Sequence, residues 1–185
     1  DILLPQPPRD SGWESDDLDH PGLPDHVELI YGALSLMMSR QRAWHQQMIC
    51  QIARAFEAAT HSGWQFLTRM TFRIDERNRP EPDLLLVADR PYYDLSTTWY
   101  RPEDIALVGE VEAPETEARD RELKPMLYAK AGVPQYLRVA EDTDGTPVLY
   151  RYRLVKGEYE LVHVQYGRVV LDEPVKVDTK LEGNW

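Results

Sequence analysis

Three side chains in this sequence are placed so that they could do chemistry together: Asp83, Glu110 and Lys124. Asp83 follows Pro82 at the head of the apolar run LLLVA. Glu110 closes the apolar run IALVG, with a second carboxylate, Glu112, two residues on. Side chains alternate along a strand, so Glu110 and Glu112 point to the same side while Leu107, Val108 and Val111 help fill the core. Carboxylates resist burial without a partner, and two brought close repel unless something positive neutralises them. A hard divalent cation such as Mg²⁺ suits this pair, because it favours oxygen ligands and keeps several of its waters. Lys124 lies in TEARDRELKPMLYAKAG, four residues after Asp120 and four before Tyr128, so the three share one helix face.

Each residue also has a plainer role. Asp83 could cap a turn, Asp120 could be an N-cap, and Lys124 could pair with Asp120 in a surface bridge worth well under about 1 kcal/mol. Singly, those roles are the better reading. Together, in the order PD, E, K, the residues favour a functional one.

The elements that must position them follow from hydrophobic spacing. Residues 1–25 are rich in Pro and Asp and read as a strap or tail, ordered only where it docks. The body, 26–185, reads as one domain. HVELIYGALSLMM predicts a hairpin turning at Tyr31-Gly32. Trp44, Met48, Ile49, Ile52, Ala53 and Phe56 recur at helical steps and predict a helix over 41–60, with Ser39 as N-cap. WQFLTRMTFRI predicts one bent strand or two short ones, 82–88 and 104–112 predict strands, and 89–103 a loop between them. If 82–88 and 104–112 are neighbours, Asp83 and Glu110 converge at one end of the sheet. A second helix covers about 117–131 and stops at Gly132, with Pro125 making it begin late or kink. QYLRVA, VLYRYRL, YELVHVQ and RVVLDE predict further strands, with turns at DTDG and KGE. This order predicts a mixed α/β domain, a sheet with flanking helices.

Composition narrows the function classes. Net charge is −11 over 185 residues, which argues against non-specific binding of nucleic acid. Residues 10–39 hold seven Asp/Glu and no Lys/Arg, leaving −4 for the rest. Within that remainder, RMTFRIDERNR carries Arg69, Arg73, Arg77 and Arg79 against two acids, as either a solvated hairpin or a phosphate-contacting edge. Cys50 is the only cysteine, excluding an internal disulfide and any multi-cysteine zinc site. No apolar run reaches 18 residues, and the opening DILLPQPPRDSG does not read as a signal peptide, so no membrane span and a cytoplasmic setting are expected.

The chain resembles the Uma-two family of restriction endonuclease-like proteins, within the wider PD-(D/E)XK nuclease fold. The resemblance rests on ELIYGAL (28–34), His45, PDLLLV (82–87), GEVEAPET (109–116), Asp120, Lys124, Tyr128 and AGVPQYLRV (131–139), and covers roughly residues 25–140. It implies a restriction endonuclease-like core and a metal-dependent endonuclease acting on DNA. Asp83 and Glu110 would hold Mg²⁺ or Mn²⁺, with the Val111 carbonyl a further ligand, and Lys124 would act electrostatically beside them. Glu28 on the first hairpin and His45 on the first helix are further candidates, His45 having an equal claim as a core residue. The wider nuclease pattern keeps its lysine two residues after the glutamate. Here that position is Glu112, which would ligate a second ion, pair with an arginine or lower metal-free stability, and the lysine is supplied from the helix. A homodimer would suit double-strand cutting. The alternative is a nuclease-fold protein without cutting activity, with a regulatory or assembly role.

Overall fold

The apolar runs pair into a six-stranded sheet that carries the candidate residues at one rim. The computed structural model describes residues 5–36, 42–61, 63–113 and 122–183. Its N-terminal hairpin joins β1 (Val27–Ile30) to β2 (Ala33–Leu36). Tyr31 and Gly32, at φ 50° and 75°, make the left-handed turn that suits a two-residue hairpin. Helix α1 (Ala43–Ala59) buries Trp44, His45, Met48, Ile49, Ile52, Ala55 and Phe56, close to the predicted stripe; Ala53 is only half-buried. Its N-cap is Arg42, which makes no side-chain capping bond, and the predicted cap Ser39 lies outside the described residues.

Next come β3 (Trp64–Thr68), β4 (Thr71–Phe72), β5 (Leu84–Ala88), β6 (Trp99–Tyr100) and β7 (Ile105–Val111). WQFLTRMTFRI is thus two short strands. The loop predicted over 89–103 contains β6, which pairs in parallel with β4. Helix α2 runs over Lys124–Lys130, preceded by a π-type turn at Glu122 and Leu123, and closes at Gly132 with φ 80°. Pro125 falls in the first turn of α2, where a missing N–H is tolerated. The earlier residues of the predicted helix, 117–121, lie outside the described residues. The chain ends in β8 (Gln135–Glu141), β9 (Pro147–Val155), β10 (Glu158–Tyr166), β11 (Arg168–Leu171) and β12 (Val177–Lys180). β12 is a strand the sequence reading did not predict.

The sheet order is β10-β9-β8-β7-β5-β3. β7 and β8 are parallel and joined through α2; the other neighbours are antiparallel. The chain is therefore mixed α/β. One face packs α1 and the β11–β12 hairpin over Leu84, Leu86, Leu107, Leu137, Val139 and Leu149. The other packs α2, Phe72 and Tyr100 over Leu85, Val87, Val108 and Tyr136. Because β5 is antiparallel to β7, the start of β5 and the end of β7 share a rim, and Leu84 faces Gly109 there. A Cβ on Gly109 would sit 3.0 Å from Leu84 Cδ1 and 3.2 Å from the Leu137 carbonyl, so glycine lets the three strands close up beneath that rim.

The strap docks through a short 3-10 helix, Ser15–Asp19. Ser15 N–H donates to the Glu76 carbonyl, and Arg79 reaches back to Asp19 with both of its terminal nitrogens, at 3.0 and 2.8 Å.

Candidate active site

Asp83 stands one residue before β5 and Glu110 is the penultimate residue of β7, each one position past the facing pair Leu84–Gly109. Both are buried, at 5% and 2% exposure. Asp83 Oδ2 accepts the backbone N–H of Val111 at 2.9 Å. His45 comes to the same oxygen from α1, its Nε2 3.4 Å away. Its Nδ1 is buried without a hydrogen-bond partner. His45 therefore both lines the core face of α1 and faces the candidate site.

Glu110 faces α2. Its Oε1 accepts from Lys124 Nζ at 3.1 Å and from the Tyr128 hydroxyl. Lys124 Nζ also lies 3.3 Å from Glu28 Oε2, so one buried ammonium bridges the N-terminal hairpin and β7. Burial, then the charge and hydrogen bond of Glu110, push the Tyr128 hydroxyl well above its ordinary range, which keeps it a proton donor. Lys124 and Tyr128 share one face of α2 because they are four residues apart. Asp120, expected on that face, lies outside the described residues. Glu28 Oε2 also accepts weakly from the Glu81 N–H at 3.4 Å.

The sequence suggested mutual repulsion between Asp83 and Glu110. The structure gives each carboxylate its own partners, so Asp83→Ala costs a buried hydrogen bond. Of the roles open to Glu112, the structure shows the arginine pair: Arg138 Nη1 lies 2.7 Å from Glu112 Oε1. Tyr128 and Arg138 were not among the expected site residues. The four-residue step from Lys124 put Tyr128 on the same helix face without giving it a role, but Arg138 depends on a strand register that spacing does not reveal.

Formally, Glu28, Asp83, Glu110 and Glu112 carry four negative charges, against two positive ones on Lys124 and Arg138. The set has a surplus of acid at one rim and hard oxygen donors, which suits a divalent cation of the Mg²⁺ kind. Among the described residues no three His, Cys, Asp or Glu side chains gather as a metal cage. Mg²⁺ commonly uses one or two carboxylates and keeps waters, so Asp83, Glu110 and the Val111 carbonyl fit it as a sparse donor set.

Two of the four arginines of the segment, Arg73 and Arg79, pair with acids of the strap. Arg79 is 3% exposed, and its five donors go to Thr71, Ser15, Asp19 twice and Thr98. Arg73 pairs with Asp16 at 2.5 Å, and the Arg77 guanidinium lies against Gly32. The acidic strap takes up much of the charge that the sequence left available for phosphate.

A family model described as "Uma2: Putative restriction endonuclease" matches residues 15–181. Among solved structures, the chain is similar to a "putative nuclease belonging to DUF820" from Anabaena variabilis ATCC 29413, at TM-score 0.60 and 12% identity, covering 80% of this chain and 81% of that one. That likeness shows the fold, which is restriction endonuclease-like, as expected. Among curated proteins none matches. No helix among the described residues is long and apolar enough to cross a membrane.

Proposed function

The chain belongs to the Uma2 family, and on that premise we propose that it is a Mg²⁺-dependent endonuclease that hydrolyses DNA phosphodiester bonds. The observation that carries the reading is the register that puts Asp83 and Glu110 at one rim of the sheet, each one position past the Leu84–Gly109 pair, with the Lys124 ammonium 3.1 Å from Glu110. Asp83, Glu110 and the Val111 carbonyl would hold the cation, which when bound supplies Lewis-acid polarisation of a phosphate oxygen. Lys124, fixed between Glu28 and Glu110, offsets negative charge that builds on the phosphoryl oxygens. An ammonium beside two carboxylates keeps its proton, so its role is electrostatic. Tyr128 orients the Glu110 carboxylate, and Asp83, by holding the Val111 amide, fixes the backbone between the donors. His45 faces Asp83 and is its positioning partner from α1.

A specific observation favours a second reading, a nuclease-fold protein without cutting activity in a regulatory or assembly role. Glu110 is already bonded to Lys124 and Tyr128, and Glu112 stands where the wider pattern keeps its lysine. Metal titration separates the two. Binding to the native state alone raises thermal stability, so the melting temperature of the parent should rise with Mn²⁺ or Mg²⁺, and Asp83→Asn and Glu110→Gln should remove the rise. The parent should also nick plasmid DNA in the same buffers. A metal-induced shift without nicking would favour the non-catalytic reading; no shift and no nicking would sink the metal site. A cytoplasmic setting and a homodimer, placing two such rims on one duplex, belong to this proposal.

A further inference from the structure

The Glu112–Arg138 pair has no part in the reading above, yet it stands on the same rim. β7 and β8 are parallel, and Glu110 and Arg138 are register partners. Tyr136, two residues before Arg138, packs in the core on the α2 side, so Arg138 leaves β8 on the face that carries Glu110 and Lys124. It leans toward the C-terminal end of β7, where its Nη1 meets Glu112 two residues beyond Glu110. That is the end at which Asp83 enters β5.

The guanidinium is fixed on two sides. Its carbon lies 3.9 Å from the ring centroid of Tyr150, the register partner of Arg138 on β9. Glu112 holds one terminal nitrogen, and the Glu112 backbone is itself tied to the Val139 carbonyl at 2.8 Å. Burial opposes the charge on Arg138, but the hydrogen bonds to Glu112 and Tyr152, together with the charge of those two groups, outweigh it and leave the guanidinium more firmly protonated than usual. The side chain is not sealed, keeping 11% exposure. A planar fork held on an aromatic ring offers a phosphate two parallel N–H bonds, which an ammonium cannot do.

We propose that Arg138 is a phosphate-binding residue of this site, held in plane by Tyr150 and kept by Glu112 until a phosphate of the substrate backbone takes the carboxylate's place. This rests on the nuclease reading and adds a second cation to it, one strand away from Glu110. It also gives Glu112 a function: a carboxylate at the wider pattern's lysine position that holds an arginine.

The test is the affinity of a fluorescent DNA duplex for the full chain, measured against salt without divalent cation. Arg138→Met should weaken binding about tenfold and lower the slope of log K against log salt by about 0.9, the value for one phosphate contact. Arg138→Lys should recover the slope but not the full affinity. Glu112→Gln, which keeps the shape and removes the competing charge, should tighten binding. If Arg138→Met binds with the parent's affinity and slope, or Glu112→Gln leaves affinity unchanged, the pair is a structural staple and the inference fails alone. If the parent shows no salt-dependent DNA binding, the inference and the nuclease reading fail together.

Discussion

Lys124 and Arg79 are each 3% exposed, and each is a cation drawn into the protein by acidic partners. Their surroundings differ in charge balance. Arg79 meets one carboxylate, that of Asp19, and spends its remaining donors on a hydroxyl and two carbonyls. That cluster is neutral and complete, with five donors and five bonds. Lys124 meets two carboxylates, Glu28 and Glu110, with Asp83 at the same strand ends. The first arrangement holds two segments of chain together. The second keeps a surplus of negative charge that a divalent cation would relieve. Burial of a charge is therefore a poor guide to its role, and the balance of partners around it is a better one.

The sharpest way to break this comparison is to remove each cation in turn. Lys124→Met should reduce plasmid nicking by about 10³-fold, the scale for losing a group that stabilises transition-state charge, while manganese still shifts the melting temperature. Arg79→Met should leave nicking per folded molecule unchanged. Equal losses in the two variants, after correction for folded fraction, would erase the distinction. On stability, Arg79→Met should lower the unfolding free energy by about 1–3 kcal/mol in denaturant titrations, because it leaves the buried hydroxyl and carbonyl partners of the guanidinium without their bonds.

A smaller effect is expected at Asp104, a second neutral cluster. It is 5% exposed and accepts from Arg90 Nε at 2.8 Å, Tyr92 at 2.6 Å and Tyr93 at 2.9 Å. Burial raises its pKa, but these bonds together hold the carboxyl below its ordinary range. Asp104→Asn should cost about 1–2 kcal/mol with no change in metal response. A metal response lost with Asp104 would show that the loop it anchors takes part in the site.

The smallest effect is in the pH profile. The hydrogen bond from Arg79 is the main reason the Asp19 carboxyl sits below its ordinary range. A depressed folded pKa means that this contribution is present above the unfolded value, about 3.9. It is lost as the pH falls through the lower folded value. The melting temperature of Asp19→Asn should therefore lie below the parent's at neutral pH, and the gap should close in acid. A constant gap from neutral pH into acid would mean that the ion pair contributes nothing through its charge.

Much of this fold was legible because its elements bury one face each. Helix α1 announced itself through Trp44, Met48, Ile52 and Phe56, and the hairpin through Tyr31-Gly32. β5 and β7 were legible as unbroken apolar runs. β12 was not, because Val177–Lys180 buries little beyond Val177. The meeting of Lys124 with Glu110 was legible from helix spacing and a short connection. The Glu112–Arg138 pair and the grip of Asp83 on the Val111 amide were not, since both depend on which residues lie opposite across neighbouring strands. The arginine segment shows the same gap at longer range: its composition gave four cations, but the acidic partners of two of them, Arg73 and Arg79, lie about 60 residues earlier in the chain.

That separation has a consequence for synthesis. Asp19 leaves the ribosome 60 residues before Arg79, an interval of about 3–12 s at ordinary elongation rates. Until then the β1–β2 hairpin is on its own, and an isolated hairpin is marginal in water. Leu29, fully buried in the finished protein, exchanges both backbone bonds with Arg79 and must wait for it. The nascent N-terminal segment meanwhile carries seven carboxylates over residues 10–39 and no lysine or arginine among them, a charge that favours solubility. Closure comes with the arrival of one arginine, by which time α1 has already been translated. Glu28 is thus brought to the rim as an early strand fastened late, ahead of the lysine that will bridge it to β7.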